Sequence, residues 1–303
     1  MDQTIKHQVD LERYKKKVSR DIAARIENLA KDVNAILATL DGTNQSLKKA
    51  LVEINKLIDS TFDSLELDIL EELRDWLESE IKWISKNEEI PLDEESSDAL
   101  IALLLAQAVR GNTLGQWLRG IRNNTKIQVR TKVISGVNDK LNLVQILRSI
   151  RGTASRKFKD GIWNKVNNHI STTLNTSIQA FSNNAKMEVW KEAEARKYIW
   201  LSVLDNRTSH ICRARSNKIY IVGEGPTPPA HPNCRSSIML YQEGMDIPQS
   251  YSEWLRRQPR EDVEDILGKG KATLFLSNKI ALDKFITPSG RELTLKELKA
   301  RLS

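Results

Sequence analysis

The two stretches that decide the fold of this chain read DNRTSHIC at residues 205–212 and PPAHPNCRS at residues 228–236. They contain both cysteines of the 303-residue sequence, Cys212 and Cys234, and His231 lies three positions before the second. Thiolate and imidazole groups brought together at a proline-rich turn are typical of a structural zinc site. Two alternatives stay open, namely a Cys212–Cys234 disulfide and free thiols packed as small apolar groups.

A zinc ion at this turn needs a fourth ligand, for which the nearby candidates are Asp205 and His210. Asp205 and Arg207 together resemble an acid–base pair for proton transfer, but we favour a structural interpretation. Asp205 can accept backbone N–H bonds after a strand, Thr208 can cap the next turn, and Arg207 or Arg235 can clamp a carboxylate or carbonyl. Since the sequence shows no recognised catalytic or phosphate-binding motif, we predict no catalytic residue.

The same two stretches resemble the signature of the phage head morphogenesis family, the Mu F-like minor head proteins. That signature is a D-x-R-T-x-x-x-C segment, a short hairpin, and then P-P-x-H-x-x-C-R-S. Further fragments resemble the family in the same order, and the resemblance covers roughly residues 145–298. They are IRG at 150–152, DGI at 160–162, ILGKGKATLF at 266–275, FI at 285–286 and GRELTL at 290–295. The chain departs from the pattern at Lys271, where arginine is usual, and in carrying His210.

The resemblance implies a structural minor head protein of a tailed bacteriophage and not an enzyme. Such a protein is made in the host cytoplasm and assembled into the capsid interior of the virion, near the portal. It would act in procapsid assembly, DNA packaging or DNA delivery. Its implied partners are the portal and the major capsid or scaffold proteins, with self-association as a further option. Two other functions compete with this one: a metal-dependent nuclease or toxin-like enzyme, and a zinc-ribbon-like DNA-binding protein.

Charge is distributed unevenly along the chain, although the net value is only +7. Between Asp59 and Glu95 there are 14 acidic residues against 3 basic ones, whereas Arg110 to Lys165 has 13 basic residues against 2 acidic ones. The acidic segment can fold back on the basic one, or each can face a different partner. A third alternative is that both segments are simply solvated faces of helices. The candidate contacts to double-stranded DNA are the clustered bases Arg148, Arg151, Arg156, Lys157 and Lys159.

Apolar spacing and proline placement predict a mainly α fold. All prolines but Pro91 follow residue 225, and residues 1–95 show an apolar period of three to four, which predicts an acidic arm folded as a helical hairpin or coiled coil. Residues 96–197 are predicted to be a basic helical region, and residues 246–303 a short helical tail. Between them, residues 198–245 should form a small antiparallel α+β module around the Cys/His turn, with strands at 198–204, 218–222 and 237–241. The sequence has no apolar run long enough for a membrane span and no secretory signal.

Overall fold

The computed structural model describes residues 2–302, which form a mainly helical protein with one small sheet, as predicted. The first half of the chain contains the helices α1 (Asp2–Ala38), α2 (Asn44–Glu88), α3 (Glu94–Ala106), α4 (Leu114–Asn138) and α5 (Leu143–Arg151). The second half contains α6 (Ile162–Glu192), β1 (Lys197–Leu201), α7 (His210–Arg215), β2 (Ile219–Ile221), β3 (Ser237–Leu240), α8 (Tyr251–Arg256), α9 (Arg260–Leu267), α10 (Lys269–Leu276) and α11 (Leu295–Ala300). Short 3₁₀ turns lie at Ala154–Arg156 and Leu282–Phe285.

The chain divides into two compact units. The bundle unit comprises residues 10–79 and 94–178, and the module unit comprises residues 1–9, 80–93 and 179–303. The first 95 residues therefore contribute to both units. The division into four consecutive segments that the sequence suggested stays a prediction.

Within the bundle unit, α1 and α2 form an antiparallel helical hairpin, which confirms the predicted arrangement of the N-terminal helices. Arg25 pairs with Asp68 on the opposite helix, and Tyr14 stacks on Trp76 at a centroid distance of 5.2 Å. The turn between the helices passes through Gly42, whose φ of 86° is readily adopted only by glycine. Buried apolar side chains recur every three or four residues along both helices, and they include Val18, Ile22, Ile26, Leu29, Val33, Leu37, Ile54, Ile58, Phe62, Leu65, Ile69 and Leu73.

The helices α4 and α5 also belong to the bundle unit. Residues 127–137, whose pattern fits either a helix or an extended chain, lie inside α4 because Val129 and Val133 share one buried face with Leu118. Both helices begin with a capping box, built on Thr113 in α4 and on Asn142 in α5. These reciprocal bonds satisfy backbone donors that a helix start leaves free.

Within the module unit, the three strands form an antiparallel sheet in the order β2-β1-β3. Ile199 of β1 faces Ile219 of β2 and Met239 of β3. The central strand is fully buried at Tyr198, Ile199 and Trp200. This is the small antiparallel module that the sequence predicts.

The C-terminal helices of the module unit enclose an apolar core of their own. It is formed by Tyr251, Leu255, Val263, Leu267, Ala272, Leu274, Phe275, Ile280, Leu282, Phe285, Leu293 and Leu298. The predicted short helical tail is thus confirmed, and its residues between Tyr251 and Leu298 supply this core. Among residues 2–302, no helix is both long enough and apolar enough to cross a membrane.

Candidate functional site

Cys212, His231 and Cys234 lie together beside the sheet of the module unit. Cys212 is in the first turn of α7, whose N-cap is Ser209, and the Ser209 hydroxyl accepts the Cys212 backbone N–H at 3.4 Å. Cys234 precedes β3, and its backbone N–H donates to the His231 carbonyl at 3.2 Å. This turn therefore brings the imidazole and the second thiol to the same side of the loop.

The three side chains form the one group with metal-ligand geometry among the residues that the structure describes. Their ligand atoms all lie within 4.8 Å of one another. Cys212 Sγ is 3.7 Å from Cys234 Sγ and 3.4 Å from His231 Nε2. Both cysteines are free and buried. We name this group the Cys/His cluster.

The two thiols of the Cys/His cluster differ in acidity because they share a hydrogen bond. The contact with Cys212 and that with His231 lower the pKa of the Cys234 thiol, although burial opposes this. The same contact with Cys234, together with burial, raises the pKa of Cys212. The pair therefore loses one proton much more readily than the second.

Asp205 is engaged by Arg235 and lies outside the Cys/His cluster. Its two carboxylate oxygens accept bonds from Arg235 at 2.7 and 2.8 Å, and one of them also accepts the Arg207 backbone N–H at 3.0 Å. Burial raises the pKa of Asp205, but the hydrogen bonds and charge of Arg235 outweigh it and hold the pKa below its ordinary value. Such a forked ion pair is a structural clamp. Arg235 makes the two close bonds, whereas the Arg207 side chain is 77% exposed and lies 3.6 Å from the same carboxylate.

The turn around the Asp205–Arg235 clamp uses further residues that the sequence analysis missed. The Thr208 hydroxyl donates to the Val203 carbonyl and to Asp205, so the helix cap predicted for Thr208 lies one residue later, at Ser209. Arg213 donates to the Thr208 carbonyl at 2.6 Å and to the Ile266 carbonyl at 3.0 Å. A lone arginine in a helix carries no sequence signal for such a role.

Lys271 and His210, the two positions that depart from the family pattern, both lie near Glu292. Lys271 Nζ lies 2.7 Å from Glu292, and His210 Nδ1 lies 3.8 Å from the same carboxylate. His210 Nε2 is also 3.2 Å from the Gly290 carbonyl. His210 thus contacts the segment 290–295, and it is not part of the Cys/His cluster.

A buried polar network supports β3 from within the module unit. Lys186 Nζ is fully enclosed and donates to Ser237 Oγ at 3.1 Å, and its pKa is lowered by desolvation. Glu80 is also buried, where it accepts the Ser182 hydroxyl at 2.6 Å and pairs with His7 at 2.7 Å. All of these contacts are made inside the protein, so we assign these groups a role in packing.

The bases proposed to contact DNA lie together in the bundle unit, on a segment that we name the basic loop (residues 148–159). All five of them, Arg148, Arg151, Arg156, Lys157 and Lys159, are exposed. Gly152 and Gly161 pack against each other at its base, where a Cβ on Gly161 would collide with the Arg151 carbonyl. Asp160 accepts bonds from the backbone and the hydroxyl of Thr153 at 2.9 and 3.0 Å. The family-like fragments 150–152 and 160–162 therefore close one loop.

The basic loop borders a cavity of about 400 Å³ in the bundle unit. Three bases, Lys132, Arg148 and Lys165, line it together with the polar side chains of Gln128 and Thr131. Such a cleft concentrates positive potential toward an anionic ligand.

Other bases of this region pair with the acidic segment. Arg122 and Lys126 of α4 lie 2.6 and 2.7 Å from Asp63 and Asp59 of α2. Across residues 2–302 the five exposed bases of the basic loop take no part in ion pairs of this kind. The acidic segment therefore pairs with Arg122 and Lys126 of α4 and not with the basic loop, whose nearest acid is Asp160 beside Arg156.

Comparison with known proteins gives one match. Residues 105–239 match the family described as phage Mu protein F like protein. No curated protein and no solved structure matches the chain. The matched segment contains the basic loop, the Asp205–Arg235 clamp and the Cys/His cluster. The match confirms the resemblance for the motifs that lie within it, whereas the fragments at 266–275, 285–286 and 290–295 lie outside it. Residues 105–239 are therefore a phage Mu F-like region.

Proposed function

We propose that this protein is a minor head protein of a tailed bacteriophage, present inside the capsid near the portal. It acts in head morphogenesis by contacting the portal and the capsid or scaffold proteins. The observation that carries the proposal is the phage Mu F-like match over residues 105–239, which contains the two motif stretches at 205–212 and 228–236. We expect the protein to be assembled in the host cytoplasm and carried in the virion.

The local chemistry of the motif supports a function through contacts. Asp205 is the carboxylate that a metal-dependent nuclease would use at this turn, yet Arg235 occupies both its oxygens. A catalytic Mg²⁺ needs free carboxylate oxygens as ligands. The motif residues are thus used to hold the module unit together, and a nuclease or toxin-like activity has less support.

We further propose that the basic loop contacts double-stranded DNA through phosphates. Its exposed bases, which do not pair with the acidic segment, and the adjoining cleft of Lys132, Arg148 and Lys165 support such a contact. Contacts of this kind are independent of base sequence and sensitive to salt. A zinc-ribbon-like DNA-binding protein would instead use its metal module, whereas the proposed surface here lies on the basic loop.

The head role is tested by analysing particles from phage with and without the gene. We expect mass spectrometry of purified heads to detect the chain, and lysine-reactive cross-linking of procapsids to join it to the portal. Particles without the chain should assemble defectively or deliver DNA poorly. Heads that lack the chain in the wild type would contradict the proposal.

A second arm of the experiment separates contact from catalysis. The purified wild-type protein and Asp205→Asn are assayed for metal-dependent hydrolysis of DNA, and both are measured for incorporation into heads. We expect no hydrolysis and a loss of incorporation that follows the loss of stability. Hydrolysis abolished in a stable, normally incorporated Asp205→Asn variant would establish an enzyme instead.

A further inference from the structure

The spacing of the Cys/His cluster fits a zinc ion better than it fits a disulfide. In a tetrahedral site, with zinc about 2.3 Å from sulfur and about 2.0–2.1 Å from nitrogen, two sulfurs lie about 3.8 Å apart and sulfur lies about 3.5 Å from nitrogen. The corresponding distances here are 3.7 Å between Cys212 and Cys234, and 3.4 Å between Cys212 and His231 Nε2. A disulfide requires a sulfur separation of about 2.05 Å.

The imidazole is oriented as a metal ligand would be. His231 Nδ1 lies 2.9 Å from the Pro232 carbonyl, which can only accept a hydrogen bond. A proton on Nδ1 leaves the lone pair of Nε2 facing the Cys212 sulfur. In zinc proteins, the second ring nitrogen of a ligating histidine usually donates such a bond and fixes the ring.

Apolar side chains pack against the thiols on one side, and the ligand types are soft. Cys212 and Cys234 pack with Trp200 in one apolar cluster, against which Tyr220 and Ala230 also pack. Two thiolates and one imidazole favour zinc over the hard cations Mg²⁺ and Ca²⁺. Binding of Zn²⁺ by both thiolates releases the protons that the two thiols still carry.

One side of the Cys/His cluster opens on a small cavity of about 30 Å³. Cys212 and His231 line it, together with the polar side chains of Thr208, Ser209 and Ser236. This volume is large enough for a water molecule, and the lining offers hydrogen-bond partners for it. Asp205, the one carboxylate suggested by the sequence, is already engaged by Arg235.

We propose that Cys212, His231 and Cys234 bind one Zn²⁺ and that a water molecule in the adjoining cavity completes the tetrahedron. The ion ties α7 to the loop before β3, two segments that the chain separates by 22 positions. The site differs from a closed structural zinc site because its fourth ligand is exchangeable. Small anions that bind zinc, such as azide or cyanide, are the class of ligand that this position accepts.

The first test is the metal content of the full-length protein purified under reducing conditions. We expect one equivalent of zinc, and X-ray absorption showing two sulfur and two nitrogen or oxygen neighbours. Replacement by Co²⁺ should give thiolate charge-transfer bands and tetrahedral d–d bands, and the d–d bands should shift when azide is added. A metal-free protein with two thiols that label freely, or with a Cys212–Cys234 disulfide, would overturn the proposal.

Variants distinguish ligands from residues that only stabilise the fold. Cys234→Ser and His231→Ala should lose the zinc, whereas Asp205→Asn should lose stability and still retain one equivalent. Zinc loss in a folded Asp205→Asn variant, or d–d bands that do not respond to azide, would overturn the water ligand. The metal content of the wild-type protein is measured directly, so an unfolded variant does not affect the first test. The metal content and the variant results are both independent of the proposed role in the phage head.

Discussion

At the scale of single residues, the Asp205–Arg235 pair shows how the motif stabilises the module unit. The Asp205 carboxylate oxygens accept two hydrogen bonds from Arg235 and one from the Arg207 backbone N–H. The Asp205 backbone carbonyl accepts the Tyr251 hydroxyl at 2.8 Å. Asp205 thus joins the turn after β1, the start of β3 and α8. Both charged side chains are less than one-third exposed, so solvent screens this pair less than it screens a surface pair.

We therefore predict that Asp205→Asn lowers the free energy of unfolding by about 1–3 kcal/mol at pH 7, because a charged, forked hydrogen-bond pair is lost. Chemical denaturation measures the change. The control is Glu243→Gln in the same unit, which removes a pair with Lys197 whose carboxylate is 83% exposed. It should change stability by less than about 0.5 kcal/mol. Equal losses in the two variants would contradict the clamp.

The effect of Asp205→Asn should also depend on pH. The pKa of Asp205 is lower in the folded protein than its ordinary value, since Arg235 outweighs the effect of burial. The stabilisation is therefore fully present above the unfolded pKa of about 3.9, and it is lost as pH falls through the folded value. The stability curves of wild type and Asp205→Asn should converge below pH 4.

The sequence predicted the residues of the site better than it predicted their partners. Cys212, His231 and Cys234 could be grouped because thiols and imidazoles are scarce in this chain and lie at one turn. Arg235 was one of two candidates for the clamp. The bonds from Arg213 and Tyr251 could not be predicted, because they join segments whose contact depends on how the C-terminal helices pack.

At the scale of elements, the basic loop depends on two glycines that no periodicity marks. Gly152 ends α5 with a φ of 94°, and Gly161 sits directly against the Arg151 carbonyl. The sequence could show the fragments 150–152 and 160–162 as separate family-like features. Their contact is set by backbone packing, which only a folded chain reveals.

Gly161→Ala should lower the free energy of unfolding by about 1–3 kcal/mol, because the added Cβ collides with rigid backbone and the loop must shift. The matched control is Gly120→Ala in α4, where a Cβ meets nothing within 4 Å. That variant should be more stable than wild type by about 0.5–1 kcal/mol, since alanine favours a helix interior. Denaturant titration of both variants checks the prediction, and a neutral Gly161→Ala would show that the loop is not closed in this way.

At the scale of the whole molecule, the uneven charge along the chain divides into acids that pair with bases inside the protein and bases that do not. Most of the acidic segment lies on α2, where Asp59, Asp63 and Glu66 pair with bases of α4. The sequence allowed either this internal pairing or an external partner, because charge counts carry no information on which helices are neighbours. The bases of the basic loop are outside the pairing, so the positive potential that remains for a partner is concentrated there.

The last prediction concerns DNA binding by this remaining charge. For the full-length protein, affinity for double-stranded DNA should fall steeply as salt increases, because phosphate contacts release counterions. Lys157→Gln with Lys159→Gln should flatten the slope of log affinity against log salt by about 2, roughly one unit for each lost phosphate contact. The control is Lys48→Gln with Lys49→Gln, which removes the same charge from two exposed lysines of α2. Fluorescence anisotropy at several salt concentrations measures both slopes. Identical slopes in the two double variants would show that net charge, and not the basic loop, determines binding, and no binding at low salt would leave this surface to a protein partner.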